Sequence, residues 1–150
     1  METEQQHRTS FNITVHEEER PLPVKRERLT RLAARAFSAT GKKPAHLALV
    51  VSSDAFIAGL NRRYRGEEGP TDVLSFPAGG GEELGDIVIS LDAAHRQAAA
   101  CGGSLDDEFI RLFVHGLLHL LGYTHGTVKK KRAMFRLADS IIEGVSKEHS

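Results

Sequence analysis

Three histidines fall within Phe113-Val-His-Gly-Leu-Leu-His-Leu-Leu-Gly-Tyr-Thr-His125, spaced His-x3-His-x5-His. On a helix, His115 and His119 lie one turn apart on the same face. Two imidazoles so placed can reach one metal ion without distorting the backbone. Gly122 is suited to stop that helix, because glycine takes the left-handed conformation at little cost. Three residues later His125 can return as a third ligand. Three protein nitrogens and one open position form the layout of a catalytic zinc site rather than a closed structural one. A lone histidine in an apolar helix is ordinarily a packing or surface residue, but three around a helix-stopping glycine fit one bound zinc ion per chain.

Zinc with an open position lowers the pKa of bound water to ~7 and polarises a carbonyl or phosphoryl oxygen. Hydrolysis is the expected reaction class. Zinc-protease helices carry Glu directly after the first histidine, as general base. Here that position is Gly116, although Gly122 and His125 keep the metzincin spacing. A hydrolase acting on peptides or another substrate is therefore the runner-up. Phosphodiester cleavage needs positive charge around its transition state, and an RNA substrate brings its own 2′-hydroxyl as nucleophile. Arg62, Arg63 and Arg65 offer planar forks matched to phosphate.

The elements that must position these groups follow from periodicity. Residues 1–9 are polar and expected to fray. Phe11–His16 alternates as a half-buried strand. From Val24 to Ser38, Leu29, Leu32, Ala33, Ala36 and Phe37 recur at helical spacing, opposite a face of Lys25, Arg26, Arg28, Arg31 and Arg35. Such a run is ordinarily a solvated face, and the sharper alternative is contact with a polyanion. His46–Ser52 suits a central strand. Ser53 caps a helix from Asp54 to about Arg62, and Tyr64–Thr71 is a loop. Asp72–Phe76 is a strand stopped by Pro77, Ala78–Glu83 a glycine-rich loop, and Leu84–Ser90 the last strand. Residues 91–100 form an alanine-rich helix, broken by Gly102-Gly103. Ser104 and Asp107 make a near capping box, opening a core helix to Leu121 that carries His115 and His119. A final helix spans about Val128–Val145, with Met134, Leu137, Ala138, Ile141 and Val145 inward. Lys129, Lys130, Lys131 and Arg132 oppose the helix dipole in its first turns, as a solvated surface or a phosphate-facing patch. The order β-α-β-α-β-β-α-α-α predicts an α+β domain spanning 1–150, with a four-stranded mixed sheet, about five helices and the metal-binding helix packed on the sheet.

The chain has 150 residues, 40% hydrophobic and 27% charged, with no net charge. That is the composition of a globular domain, and any nucleic-acid surface must be local rather than a property of the whole field. Cys101 is the only cysteine, so no intrachain disulfide forms, in keeping with a reducing compartment. Its place at the end of the alanine-rich helix suggests packing rather than chemistry. No apolar run is long enough to span a membrane, and the N-terminus lacks the features of a signal peptide. A cytoplasmic location is expected. Asp72 and Asp86, on or beside strands, are expected to bond neighbouring backbone. His16, His46 and His95 lack ligand spacing. Tyr123 is expected to pack at the turn.

His115-Gly-Leu-Leu-His-Leu-Leu-Gly-Tyr-Thr-His125 resembles the signature of the YbeY endoribonucleases, the bacterial rRNA maturation factors. Leu60-Asn-Arg-Arg-Tyr-Arg-Gly66, Pro70-Thr-Asp-Val-Leu-Ser-Phe-Pro77 and Leu84-Gly-Asp-Ile-Val-Ile-Ser90 are similar to further segments of that family, in order and spacing from about residue 46 onward. The resemblance implies a metal-dependent, single-strand-specific endoribonuclease, acting in 16S rRNA 3′ end maturation and ribosome quality control. It implies zinc on His115, His119 and His125, and Arg65 in the active-site cleft against RNA. Implied partners are single-stranded rRNA, the small ribosomal subunit with its proteins, and an assembly GTPase. A non-catalytic assembly factor, in which metal only holds the last turn, is a further alternative. Thr124 departs from the family pattern, which has Asp before the third histidine. Thr accepts a hydrogen bond but carries no charge, and the three ligands remain.

Overall fold

Among the described residues, four strands and five helices follow one another in the expected order. The computed structural model describes residues 11–149, with side chains to residue 146; the expectation for residues 1–9 lies outside them. The elements are β1 (Ile13–Glu17), α1 (Arg26–Thr40), β2 (His46–Ser52), α2 (Asp54–Leu60), β3 (Val73–Gly80), β4 (Glu83–Ser90), α3 (Leu91–Cys101), α4 (Leu105–Leu120) and α5 (Val128–His149). The sheet runs β1-β2-β4-β3. β1 and β4 flank β2 in parallel, and β3 closes the edge antiparallel to β4. This is an α+β fold with a mixed sheet.

Alternation along the strands divides the interior in two. Leu47, Leu49, Val51, Ile87 and Ile89 face the main core with α1, α3, α4 and α5. Leu74 and Val88 point the other way and pack with Ile57 of α2 in a smaller cluster. α4 is apolar nearly all round because it lies against β3 and β4 and is flanked by α1, α3 and α5. Its residues Phe109, Phe113, Val114, Leu117 and Leu118 are wholly buried. α5 turns the expected stripe inward: Met134, Ala138, Ile141 and Val145 are buried and Leu137 partly so.

Four expectations are corrected. The helix from Asp54 ends at Leu60, and a π-helical turn over Asn61–Arg65 follows it. Buried Asn61 holds that turn, its Nδ2 donating to the Gly69 carbonyl at 3.0 Å. Pro77 does not stop β3, which continues to Gly80. Proline is tolerated in an edge strand, where its missing N–H is not required by a second neighbour. Gly79, Gly80 and Gly81 all have positive φ, and the expected 78–83 loop is instead the bulged end of the β3–β4 hairpin. Cys101, expected to pack, is exposed.

Side-chain caps fix the helix starts beyond β2 and β4. Ser53 accepts from the Phe56 amide at 3.2 Å, and Ser90 from the Ala93 amide at 3.2 Å. Ser90 Oγ donates to Asp54, while Asp92 accepts from the Asp54 amide at 2.9 Å and pairs with Arg20. The Arg20 hydrogen bond holds the Asp92 carboxyl below its ordinary pKa of 3.8, and Arg96 does the same for Asp54. A depressed carboxylate pKa adds stability above the unfolded value, which is lost as pH falls through the folded one. Asp92→Asn is expected to cost about 1 kcal/mol at pH 7, since one half-buried acceptor bond weakens while the partly exposed ion pair adds little. Urea melts should also show a shallower loss of stability below pH ~4 in the variant; an unchanged acid limb would rule out this cluster as a source of acid sensitivity.

Candidate functional site

Ser104 starts the histidine-bearing helix as its side chain accepts from the Asp107 amide at 3.1 Å. α4 then runs without interruption past His115 and His119, one turn apart. It ends where the Gly122 amide donates to the His119 carbonyl and the Tyr123 amide to that of Leu118. Gly122 has φ +103°, the positive value its position demanded. Tyr123 packs against the core, as expected. Thr124 Oγ1 accepts from the Gly126 amide at 3.4 Å, so it shapes the short loop around His125. Thr127 then caps α5, accepting from the Lys130 amide at 3.0 Å.

The loop brings His125 back beside the helix. Its ring meets His119 edge to face at a centroid distance of 4.6 Å. His115 stacks on Phe135 of α5 at 4.9 Å, and His125 lies 5.8 Å from that same ring. As placed, the described His, Cys, Asp and Glu side chains include no group of three closed around a single point. The three imidazoles nevertheless share one cleft. One lobe, of about 400 Å³, is lined by His115, His119, His125, Asp72, Arg111 and Lys131, among others. The adjoining lobe, of about 350 Å³, keeps Asp72, His119 and His125 and adds Arg65, Ser75 and Pro77.

Burial pushes the His115 pKa down to about 4, helped by the positive charge of Arg111. Burial and His125 lower that of His119 as well. Both rings are therefore neutral at pH 7, with a nitrogen lone pair free to bind a cation. Besides Arg111 of α4, two cationic groups reach the cleft from other elements. Arg65 comes from the π turn and Lys131 from the first turns of α5. Of the four cations at the start of α5, Lys131 enters the cleft and crosses the Phe135 ring at 5.7 Å.

Gly116 has a packing reason. A Cβ there would lie 2.8 Å from Ile87 Cγ2, 3.2 Å from Val73 Cγ2 and 3.3 Å from Ser75 Oγ. The helix approaches the sheet so closely that any side chain at this position would force Ile87 and its neighbours to shift. Ser75 Oγ donates to the Gly116 carbonyl at 2.9 Å across the same contact.

Asp72 is the cleft residue that sequence reasoning passed over. Its carboxylate accepts from Gln97 Nε2 at 3.1 Å. Gln97 in turn accepts from Arg111, which is paired with nearly buried Glu108. The Asp72 carbonyl accepts from the Ser90 amide, but its carboxylate bonds the Gln97 side chain and not the neighbouring backbone that was expected. Asp86 lies in a different groove, and His16, His46 and His95 stand outside the cleft. Phe135 of α5, which stacks on His115, was likewise not singled out from the sequence.

Comparison with known proteins covers nearly all of the chain. Residues 12–146 match the family model described as Endoribonuclease YbeY. A protein of that name from Pelotomaculum thermopropionicum is 48% identical over 76% of this chain and 82% of its own. The Aquifex aeolicus counterpart is 42% identical over 83% and 86%, and that of Moorella thermoacetica 41% over 90% and 97%. The solution structure of the Thermotoga maritima protein TM1509 superposes with a TM-score of 0.61 at 25% identity, covering 90% of this chain and 91% of that one.

Proposed function

Because the chain belongs to the Endoribonuclease YbeY family, we propose that it is a zinc-dependent endoribonuclease specific for single-stranded RNA, acting in 16S rRNA 3′ end maturation and ribosome quality control. The observation that carries this reading is the single cleft shared by His119, His125 and Arg65, with His115 in the adjoining lobe. The donor set supports zinc: three imidazoles, two of them kept neutral by burial, are borderline ligands of the kind zinc prefers. His115, His119 and His125 would hold the ion, which when bound supplies Lewis-acid stabilisation of a phosphoryl oxygen.

The remaining chemistry belongs to side chains of this chain. Arg65 binds the scissile phosphate, its fork matching two phosphoryl oxygens. Lys131 adds a second cation on the far lobe. Asp72 accepts the proton of the attacking hydroxyl. It supplies the carboxylate that Gly116 and Thr124 do not, and the Gln97–Arg111–Glu108 chain orients it. A peptidase reading is disfavoured by Gly116, which stands in tight contact with the sheet at the position of the zinc-protease base. One domain carries the activity. Its partners are single-stranded rRNA, the small ribosomal subunit with its proteins, and an assembly GTPase. Its location is cytoplasmic, consistent with the lack of a membrane-crossing helix among the described residues.

The test is cleavage of a single-stranded 16S rRNA 3′-end fragment by purified protein, with and without chelator. Arg65→Ala should lower kcat by about 10²-fold, the cost of removing one positioned transition-state donor. Metal content should not change, because Arg65 is not a ligand. Cleavage indifferent both to chelation and to Arg65→Ala would sink the proposal.

A further inference from the structure

β3 is an edge strand, so each of its faces can border a different surface. Val73, Ser75 and Pro77 line the histidine cleft, while Phe76, pointing the opposite way, lines a separate groove of about 330 Å³. Val50, Phe56, Leu60, Tyr64 and Val88 form the rest of its apolar lining, with Asp86 beside them. This is the sheet face that α2 covers only in part. Its opening is marked by Tyr64, 61% exposed and, with Val128, one of the two large hydrophobic side chains left exposed among the described residues. The Tyr64 ring stands edge-on to Phe76 at 5.6 Å, and the Arg63 guanidinium lies 5.8 Å from its centroid.

Tyr64 and Arg65 are neighbours on the π turn, yet one lines the groove and the other the cleft. A π turn inserts an extra residue per turn and so re-aims consecutive side chains, a device common at functional sites. We propose that the Tyr64–Phe76 groove is a base-stacking subsite for the single-stranded RNA whose phosphate is held at Arg65, so that the strand crosses the β3 edge between groove and cleft. This rests on the endoribonuclease reading of the cleft.

Three observations favour a nucleobase over other occupants. An exposed aromatic ring flanked by arginines is the arrangement that binds single strands through stacking and backbone charge together. The groove and the catalytic cleft are bordered by consecutive residues of one turn, Tyr64 and Arg65. Asp86 repels phosphate but accepts N–H groups of a base edge, so the base enters the groove and the backbone stays on the arginine side.

The test is binding of a labelled single-stranded oligoribonucleotide of about ten nucleotides, followed by fluorescence anisotropy with chelator present to prevent cutting. Tyr64→Ala should weaken binding about tenfold, the loss of one base–aromatic stack, and Tyr64→Phe should stay within about twofold because the ring remains. Abasic nucleotides introduced one at a time should reveal a position where the wild type loses the same factor. RNA abasic there should bind wild type and Tyr64→Ala equally. Equal affinity of Tyr64→Ala and wild type for intact RNA overturns the proposal. So does an equal loss at every abasic position. A change in self-association on Tyr64→Ala, seen by sedimentation velocity without RNA, would instead make the groove a contact between copies. If Tyr64→Ala binds as wild type while chelator-sensitive cleavage of RNA persists, only the groove fails. If stacking holds but metal-loaded protein cuts no RNA, the nuclease reading fails and the subsite stands. Wild-type protein without measurable RNA affinity overturns both.

Discussion

Replacing His119 with alanine should remove both the bound metal and RNA cleavage while leaving the fold intact. His119, like His125, lines both lobes of the cleft, and the two rings meet edge to face, so its loss removes one of the three donors from the centre of the site. Losing a group that merely orients a ligand costs ~10- to 100-fold in affinity or activity; losing a ligand should exceed that. Two measurements separate the metal role from a packing role. Elemental analysis should find about one zinc per wild-type chain and a sharp loss in the variant. Added zinc should raise the wild-type Tm, since an ion bound only to the folded state contributes about 4 kcal/mol at a thousandfold excess over Kd. The variant should not respond. A His119→Ala protein that keeps its zinc and cuts RNA would refute the ligand assignment.

Gly85→Ala should be the most destabilising single-methyl change around the site. Gly85 pairs with Pro77 on one side and Leu47 on the other, and its φ of +147° is a conformation reserved for glycine. An added Cβ would lie 2.3 Å from the Phe76 carbonyl oxygen and 3.0 Å from both Pro77 Cα and Leu120 Cδ2. Two of these atoms are backbone and cannot rotate away. The loss should be about 3 kcal/mol or more, combining overpacking with a strained dihedral. For a chain of this size that lowers Tm by roughly 6–12 °C. The clash displaces β3 at Phe76 and Pro77, which border the groove and the cleft, and presses on Leu120 beside His119. Urea unfolding would detect it; a midpoint equal to the wild type would mean that β3 yields freely, and with it the close contact between sheet and helix.

Most of the secondary structure was legible because local rules governed it. The His46–Ser52 strand, the capping serines Ser53 and Ser104, the stop at Gly122 and the inward stripe of α5 each follow from spacing or from one side chain satisfying its own backbone. The misreadings are non-local. Pro77 ends a strand only if a second neighbour needs its N–H, and being at the sheet edge is a fact of tertiary order. The π turn after Leu60 depends on buried Asn61 reaching the Gly69 carbonyl, which no window of sequence records.

The candidate site divides along the same line. The sequence by itself determined a set of three imidazoles and a nearby arginine cluster, because ligand spacing on one helix and its following turn is a local property. The family resemblance already implied Arg65 in the cleft; only the tertiary structure decided that its neighbour Tyr64 turns to the opposite face of β3. It also brought in Asp72, carried by a distant strand start and recognisable only once Gln97 of α3 and Arg111 of α4 close on it. And it gave Gly116 its reason. In the sequence that residue was a missing base, whereas in the fold it is the point where helix and sheet approach so closely that a Cβ would press on Ile87, Val73 and Ser75. Spacing along a chain specifies which groups can meet on one element; which groups meet across elements depends on packing, and packing belongs to the folded whole.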